Sequence, residues 1–422
     1  MKNKNFYSRA LRSFIAAIII AGIAMVAQAV IIGNLDYNIL SEEDRTVDVA
    51  WPTRGASKTP IDSLFIPSSV EIDGVNYSVS EIRESGFREC DKINNFISIP
   101  GSVKKIGAFA FDDLQYVDSI QLNEGLEIIG NDAFSTTMIK SVHLPESILE
   151  IGEFAFAGCN NLTYINWPDY ITEIPNSCFR DCSSLKQWDF SNITKIGFLA
   201  FENCSSFENV VIPSGCYIDL GGLGGYRSEK LTFEPGPTVL KSGALAGGKF
   251  HKLELPEGIT LYESVLDECI NLRTLIINQG TNLIDRAFWE QNAYGPPDDW
   301  RWKGENLLAL DSVVYLASEP ERMPGDIFTP NVYKNAVLYV KPEALAKAKY
   351  TIPWRRFKRK EAISSSIKDV LNDDPDDSNL AGPTKIFTLS GLPCGNNPDK
   401  LPPGTYIIRD KNGSRKFHIS KE

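Results

Sequence analysis

One motif recurs through most of this chain and limits what the chain can fold into. It is clearest at residues 151–168, IGEFAFAGCNNLTYINWP, and its skeleton is I-G-x-x-A-F-x-x-C-x-x-L-x-x-I-x-I-P. The Phe or Leu of the A-F position returns every 21 to 24 residues, at Phe87, Phe111, Phe134, Phe156, Phe179, Phe201, Leu223, Leu245, Leu266 and Phe288. A unit this short cannot bury its own apolar side, so successive units must stack on one another. The sequence therefore predicts a solenoid.

Each unit contains a short alternation of apolar and polar residues, such as Val142-His143-Leu144. Alternation sends two side chains inward and one outward, which indicates a strand. Prolines such as Pro145 end these strands because proline cannot donate to a continuing ladder, and Gly152 marks a turn. The period is typical of leucine-rich repeats. We expect a mainly β leucine-rich-repeat solenoid, with parallel strands stacked about 4.8 Å apart and joined by turns or short helical pieces.

The chain divides into segments of different character. We predict a signal peptide at 1–29, a β cap at 30–80, a repeat array at 81–311 with an insertion at 289–306, a mixed closing module at 312–363, a linker at 364–383 and a small β domain at 384–422. The cap includes a hairpin that turns at Asp73-Gly74, a pair favoured in tight β-turns. In the closing module, 313–316 and 336–340 are predicted strands, and 342–350 is a predicted helix with proline in its first turn.

The N-terminus has the features of a signal peptide. The apolar run at 14–27 follows four basic residues, Lys2, Lys4, Arg9 and Arg12. Ala27-Gln28-Ala29 then has the small-x-small form of a cleavage site. An uncleaved anchor is the alternative, because apolar character continues through 30–32 to nearly the ~20 residues that a membrane span needs. We expect the signal peptide to be cleaved and the protein to be exported to the cell surface, including association with an outer membrane, or to the extracellular space. We predict no transmembrane span in the mature chain.

The composition excludes several classes of protein. Hydrophobic residues make up 43% of the chain, so it is a folded protein and not a disordered one. The formal net charge of −11 repels phosphate backbones and anionic lipids, and we predict no nucleic-acid partner. Five basic residues at 355–360 could bind polyanions. Charges that flank the aromatic Trp354 and Phe357 are more typical of a solvated face, which is the interpretation we favour.

The eight cysteines follow the repeat rather than a disulfide pattern. Five of them fall three residues after the repeat's Phe or Leu position: Cys90, Cys159, Cys182, Cys204 and Cys269. A shared phase places each in the same interior slot, where a free thiol acts as a small hydrophobe. A metal site is the alternative, but there is no C-x-x-C pair and the three histidines are scattered. We predict buried thiols and no metal or cofactor, and leave the pairing of Cys178, Cys216 and Cys394 open.

The repeat skeleton resembles the BspA-like leucine-rich repeats of bacterial surface proteins over roughly residues 60–290. The A-F-x-x-C element co-occurs with an I-P-x-S-V element, as in IPGSV at 99–103, LPESI at 144–148 and IPSGC at 212–216. The sequence LGGLGGY at 220–226 departs from the pattern, and we interpret it as a degraded repeat with a loose turn. The resemblance implies an exported surface protein that binds or adheres through its repeats.

The C-terminal segment carries a second resemblance. FTLSGLPC, LPPGTYIIRD and SRKFHIS, between residues 387 and 420, resemble the C-terminal sorting domain of type IX secretion substrates in Bacteroidetes-type bacteria. This resemblance implies a sorting signal on a small β domain. The alternative is an ordinary β cap without a transport role.

The outward strand positions offer little for catalysis. Asp189 and Glu254 are the carboxylates of the central outward row, and they lie three strands apart. At about 4.8 Å per strand the separation is about 14 Å, beyond the ~5–9.5 Å that glycosidases use. His143 has no carboxylate in the outward rows to orient it, so a catalytic triad is poorly supported. We predict that the protein is not an enzyme.

Two sets of residues are candidates for binding. The first is on the outward strand face: Gln121, His143, Tyr164, Asn166, Gln187, Asp189 and Asn209. The second is on the inserted loop: Trp289, Tyr294, Trp300 and Trp302. These loop aromatics could stack on a sugar or a peptide, or could cover the end of the core, since large exposed apolar patches are uncommon.

We predict that the protein is a monomer that mediates adhesion or binds an extracellular protein or glycan. Host matrix is among the expected partners. An array of repeats suits extended partners, because its strip of outward side chains presents many weak contacts together. Two alternatives stay open. One is a carbohydrate-handling accessory protein or enzyme that uses the 289–302 loop, and the other is a structural envelope protein.

Overall fold

The structure is a computed structural model that describes residues 30–52, 59–227, 230–289 and 310–363, together with the backbone of four strands between residues 385 and 419. The chain separates into two compact units, Met1–Glu361 and Ala362–Glu422. Within the described residues, the first unit is a stack of coils whose strands form parallel ladders. This confirms the predicted mainly β solenoid.

The strands before residue 363 are, in chain order, β1 (Val30–Ile32), β2 (Leu35–Ser41), β3 (Thr46–Ala50), β4 (Ile61–Phe65), β5 (Ser69–Ile72), β6 (Val75–Ile82), β7 (Ile93–Ile99), β8 (Lys105–Ile106), β9 (Val117–Leu122), β10 (Ile128–Ile129), β11 (Ser141–His143), β12 (Glu150–Ile151), β13 (Tyr164–Asn166), β14 (Glu173–Ile174), β15 (Lys195–Ile196), β16 (Val210–Ile212), β17 (Tyr217–Ile218), β18 (Leu231–Phe233), β19 (Val239–Leu240), β20 (Lys252–Leu255), β21 (Thr260–Leu261), β22 (Thr274–Ile277), β23 (Asn282–Leu283), β24 (Ser312–Tyr315), β25 (Val337–Val340) and β26 (Arg359–Ala362).

Two ladders of strands run along the solenoid. The front ladder consists of four successive sheets, β4-β7-β9, β11-β13, β16-β18 and β20-β22-β24-β25-β26. The back ladder consists of the short strands β6, β8, β10, β12, β14, β15, β17, β19, β21 and β23. Each coil passes from a front strand to a back strand and then through a turn segment that carries the A-F-x-x-C residues. Both ladders are parallel, because each coil repeats the path of the one before it.

The N-terminal residues form a sheet that continues the back ladder. Strands β1, β2 and β3 are antiparallel, and β3 then pairs in parallel with β6. Strands β5 and β6 form the hairpin predicted at Asp73-Gly74, with Ile72 opposite Val75. The front ladder already begins at β4, which pairs in parallel with β7. Parallel stacking therefore starts inside the segment 30–80 that the sequence assigned to a cap.

The repeat phenylalanines form a continuous stack inside the solenoid. From Phe87 to Phe201, consecutive ring centroids are 5.2–5.6 Å apart and the rings are tilted by only 4–17°. Each of these rings is at most 1% exposed. Stacked aromatic pairs contribute about 0.5–1.5 kcal/mol each beyond their burial. The predicted core position is confirmed, and within the opening motif it is Phe156 that is buried while Phe154 is only half-buried.

The repeated cysteines have a shared contact that explains their phase. The thiol of Cys159 donates to the carbonyl oxygen of Phe134 at 3.1 Å, and that of Cys182 donates to the carbonyl of Phe156 at 3.1 Å. Each thiol thus satisfies a buried carbonyl of the preceding coil. The seven cysteines in the described residues are free and buried, as predicted for the five in phase, and Cys178 and Cys216 are among them. The side chain of Cys394 lies outside the described residues.

The turn segments form a third set of contacts between coils. Phe154 and Gly158 have left-handed backbones (φ 56° and 71°), and their amides donate to carbonyls of the next coil. Gly221 and Gly225 occupy the same two positions, with φ of 65° and 73°, and Leu223 between them is 1% exposed. Glycine adopts this conformation without steric cost. The prediction of a loose, degraded turn at 220–226 was therefore wrong: this turn is regular.

The front ladder is interrupted where the sequence predicted a strand at residues 187–189. Residues 185–190 have no strand pairing, and the sheet that contains β13 ends before β16 begins. At this coil the inward positions hold Trp188 and Phe190, whose rings pack against Phe201 at 4.9 and 5.5 Å. We attribute the break to these two rings, because this coil has aromatic side chains at both inward positions, whereas the coils on either side have Ile165 with Trp167 and Val210 with Ile212.

The closing module continues the front ladder. Strands β24 and β25 are parallel to β22, and β26 completes the sheet. Helix α1 (Pro330–Asn335) was not predicted, and the predicted helix at 342–350 is shorter, with a 3₁₀ turn (Pro342–Ala344) and α2 (Leu345–Ala348). Trp354 begins a second 3₁₀ turn, and its ring stacks on Tyr315 at 4.1 Å. Trp354 and Phe357 are 0% and 1% exposed, so both belong to the core.

The second unit contains a small antiparallel sheet. Its strands are β27 (Lys385–Thr388), β28 (Pro393–Gly395), β29 (Gly404–Asp410) and β30 (Gly413–Ile419), in the order β28-β27-β29-β30. The three strands expected from KIFTL, TYIIR and SRKFHIS are present. In the parts of the chain that the structure describes, no helix is long and apolar enough to cross a membrane.

Candidate binding surface

The outward side chains of the front ladder form a surface that we call the front face. Strand register aligns them in two rows. The central row contains Phe65, Ser98, Gln121, His143, Asn166, Val211, Thr232, Glu254, Ile276 and Val314. The second row, two residues earlier on each strand, contains Ser63, Phe96, Ser119, Ser141, Tyr164, Lys252, Thr274 and Ser312. Asp189 and Gln187 lie in the interrupted segment between these rows' two halves.

Six of the seven predicted front-face residues are exposed: Gln121, His143, Tyr164, Gln187, Asp189 and Asn209. The structure brings His143, Tyr164 and Asn166 together on the neighbouring strands β11 and β13. Asp189 instead folds back, because its carboxylate accepts a hydrogen bond from the Ser191 amide at 2.9 Å.

Asn166 is tied to the backbone of the preceding coil. Its side-chain oxygen accepts from the Leu144 amide at 2.7 Å, and its side-chain nitrogen donates to the Leu144 carbonyl at 3.0 Å. The amide side chain therefore extends the β11–β13 ladder by one step where Pro145 prevents further pairing. Asn123 and Asn278 make the same type of bond to Ile99 and Leu255. Asn166 consequently has a structural role on this face, with one N–H and one lone pair of its amide committed to Leu144.

Two aromatic pairs lie on the front face with the same diagonal geometry. Tyr164, 51% exposed, contacts His143 on the previous strand with ring centroids 5.6 Å apart. Phe65, 67% exposed, contacts Phe96 on the next strand at 5.7 Å. The sequence analysis did not identify Phe65 or Phe96. A signal was present, because Phe65 precedes IPSSV at 66–70, which matches the I-P-x-S-V element of the later units.

The C-terminal end of the front face differs from its N-terminal end. Ile276 and Val314 occupy outward positions in the central row, yet they are 2% and 1% exposed. The outward residues nearer the N-terminus, such as Gln121 and His143, are exposed. The accessible part of this face therefore runs from β4 to β20, where Glu254 is still exposed.

The inserted loop is described only at its start. Trp289 is half-buried, and its indole nitrogen donates to the Asp326 carbonyl at 2.6 Å. The Arg286 guanidinium lies 5.5 Å from the centre of the same ring. These contacts place Trp289 against the closing module. Tyr294, Trp300 and Trp302 lie outside the described residues.

The described residues contain no group of three or more His, Cys, Asp or Glu side chains that could hold a metal ion. Their cysteines are also poor nucleophiles. Burial raises the pKa of the Cys159 thiol to about 11 and those of Cys216 and Cys269 to about 12. A thiolate is the reactive form of cysteine, so these side chains are inert at neutral pH. The chemistry available on the front face is the formation of hydrogen bonds and aromatic contacts.

The repeat array matches the model of one known repeat family. Residues 61–127 and 104–221 match the BspA type leucine rich repeat region, with six copies. No curated protein matches the chain. Among solved structures, a leucine-rich repeat protein from Bacteroides ovatus is 18% identical, with a TM-score of 0.44 over 79% of this chain and 100% of that one.

Two further solved structures are similar. The pneumococcal vaccine antigen PcpA is 15% identical, with a TM-score of 0.44 over 81% of this chain and 99% of its own. A leucine-rich repeat protein from T. pallidum is 23% identical, with a TM-score of 0.36 over 50% and 86%. The six copies of the family's repeat span β4 to β17 and include the whole Phe stack from Phe87 to Phe201. Residues 61–221 of this chain are therefore BspA-type leucine-rich repeats.

Proposed function

We propose that the protein is an exported, cell-surface binding protein that holds an extended protein ligand against the first half of its front face. The observation that carries this proposal is the pair of exposed aromatic contacts, Phe65 with Phe96 and His143 with Tyr164. Phe65 and Tyr164 are 67% and 51% exposed on a surface whose exposed members are mostly polar. Aromatic side chains are the residue type that most often dominates binding energy at interfaces.

The spacing of the two pairs suits an extended ligand. Strands β4 and β13 are four ladder steps apart, which corresponds to about 19 Å at ~4.8 Å per step. A segment of five to six extended residues spans that length at ~3.3–3.6 Å per residue. Between the anchors, the exposed Ser119, Gln121 and Ser141 offer hydroxyl and amide groups that can bond a peptide backbone.

Export and surface location form part of the same proposal. The N-terminal residues 1–29 carry the charge and apolar pattern of a signal peptide. The BspA-type family to which the array belongs is one of repeat proteins suited to binding. The sequence segments between residues 387 and 420 resemble a type IX sorting domain, and we extend the proposal to that role.

A binding experiment with three matched variants tests the front face. The mature protein from residue 30 onward would be applied to immobilised extracellular-matrix proteins, alongside Phe65→Ala, Tyr164→Ala and Tyr350→Ala. We expect each front-face variant to weaken the strongest interaction at least tenfold, about 1.4 kcal/mol. Tyr350 is 81% exposed on the closing module and serves as the control, so its variant should bind like the parent.

The thermal midpoint of each variant separates a binding effect from unfolding, because truncation of an exposed side chain changes stability by only about ±0.5 kcal/mol. Equal binding by the parent and both front-face variants would contradict the proposed surface. A parent that binds none of the matrix proteins would contradict the matrix ligand and favour a structural role in the envelope. Secretion of a chain lacking 384–422 at the parent's level would contradict the sorting role.

A further inference from the structure

The charges of this acidic chain are distributed very unevenly. Residues 331–360 contain nine Lys or Arg and one Glu, a net charge of +8, although the whole chain carries −11. The remainder of the chain therefore carries −19 (−11 minus 8). An acidic surface keeps anions away from the repeats, whereas the closing module attracts them. The sequence analysis treated the cluster at 355–360 as a solvated face, but the structure associates part of it with a cavity.

An open cavity of about 430 Å³ lies where Trp289 meets the closing module. That size is within the ~300–1,000 Å³ of small-molecule sites. Its apolar surface comes from the half-buried Trp289 and the buried Phe328 and Tyr333. Its basic surface comes from Lys334 and Lys358, with Arg356 beside them.

The three cations of the cavity have different roles. Arg356 forms a salt bridge with Asp326, and its guanidinium lies 5.1 Å from the centre of the Tyr333 ring. The hydrogen bond to Asp326 is the main cause of the raised pKa of Arg356. Lys334 and Lys358 are exposed, and neither has a carboxylate partner among the residues that the structure describes. Two positive charges are therefore available to a ligand, while Arg356 is held in place.

A second open cavity serves as a comparison. It has a volume of about 380 Å³ on the back side of the array and includes Asp219, Glu263 and Asp285 in its lining. Its lysine, Lys241, lies 3.6 Å from the centre of the Tyr262 ring, which satisfies the cation internally. The three carboxylates of the lining outnumber its two cations, Lys241 and Arg286, and so disfavour an anionic ligand there. Of these two cavities, the one beside Trp289 has the chemistry that favours an anion.

We propose that the cavity formed by Trp289, Lys334 and Lys358 binds one acidic sugar residue, carboxylated or sulfated, of a polysaccharide. The two ammonium groups pair with the anionic group of the sugar. The apolar face of the pyranose ring packs on the indole of Trp289. A flat ring beside two cations fits a sugar unit better than a lipid headgroup, which needs a broad basic plane, or an acidic peptide, which needs a strand edge. This site is separate from the front face, and each can fail without the other.

The test uses the whole mature protein with polygalacturonate and dextran sulfate as probes, because these polymers carry carboxylates and sulfates respectively. Polyglutamate and anionic phospholipid vesicles are the comparison ligands. The pocket variant is Lys334→Gln with Lys358→Gln. The matched control is Lys349→Gln with Arg355→Gln, which removes the same charge from exposed positions of the closing module outside the cavity. Trp289→Ala tests the stacking contact by itself.

We expect at least one acidic polysaccharide to bind the parent protein. Its affinity for the pocket variant should be at least tenfold weaker, and its affinity for the control variant should be less than twofold weaker. The polymer that binds identifies the acidic group. Equal losses in the two double variants would overturn the proposal, since they would show diffuse attraction to the closing module. Binding of polyglutamate or vesicles as tight as that of either polysaccharide would assign the surface to those partners. Absence of binding to both polysaccharides would also overturn it.

Discussion

Substitution of Asn166 by alanine tests the assignment of this outward residue to structure and not to recognition. The variant removes two hydrogen bonds to Leu144, of 2.7 and 3.0 Å. Leu144 is 4% exposed, so water cannot readily replace both bonds. At about 0.5–1.5 kcal/mol of net stability per hydrogen bond, we expect the free energy of unfolding to fall by about 1–3 kcal/mol.

The assay is urea unfolding followed by circular dichroism, with Gln187→Ala as the control. Gln187 is also an exposed, outward polar residue, and its truncation should change the free energy of unfolding by less than about 0.5 kcal/mol. A loss below about 0.5 kcal/mol in Asn166→Ala, or equal losses in the two variants, would refute the reasoning. In that case the Leu144 backbone groups would find other partners and Asn166 would return to the set of binding candidates.

Three further predictions concern the interior of the array. Phe156→Leu should cost about 1–3 kcal/mol from two lost ring contacts of 5.6 Å, measured by urea unfolding, whereas Phe65→Leu should be nearly neutral; equal costs would contradict the stack. Gly152→Ala should cost about 1–3 kcal/mol, because its Cβ would lie 2.5 Å from the Asn131 amide nitrogen, and an unchanged midpoint would contradict this contact. The contribution of the buried neutral thiols to stability should be fully present below pH 9 and be lost as the pH rises toward 11–12. The reason is that cysteines in the unfolded chain have a pKa near 9.0, whereas the pKa of Cys159 is raised to about 11 and that of Cys269 to about 12. The slope approaches about 1.4 kcal/mol per thiol per pH unit, and identical unfolding curves at pH 8 and pH 10 would disprove it.

Much of the fold follows from local pattern. The period of 21 to 24 residues set the length of chain in each coil, and the Phe position identified the core without reference to any contact. The phase of the cysteines predicted buried thiols, although not the carbonyl oxygens that receive them. Gly152 was predicted at a turn, yet the structure shows that the constraint is the approach of the neighbouring coil rather than the backbone angle.

The departures from prediction have three separate causes. The strand expected at 187–189 did not form because the Trp188 ring packs against Phe179 and Phe201 of neighbouring turns. Such contacts cannot be read from the local sequence. The regular turn at 220–226 was missed because the segment was judged by its lack of the Ala-Phe pair. Gly221 and Gly225, at the two left-handed positions, were not taken into account. Phe65 was missed because its strand was assigned to the cap.

By itself the sequence determined the solenoid, its inward residues and the list of side chains that face outward, since these depend on periods of two and of about 22 residues. Only the tertiary structure decided which outward residues are available. Asn166 bonds a backbone 22 residues away, whereas Tyr164, two positions earlier on the same strand, is 51% exposed. Ile276 shares the outward row of Gln121 and is buried. Accessibility depends on what the neighbouring coils place beside each residue, and that placement arises only when the array is stacked.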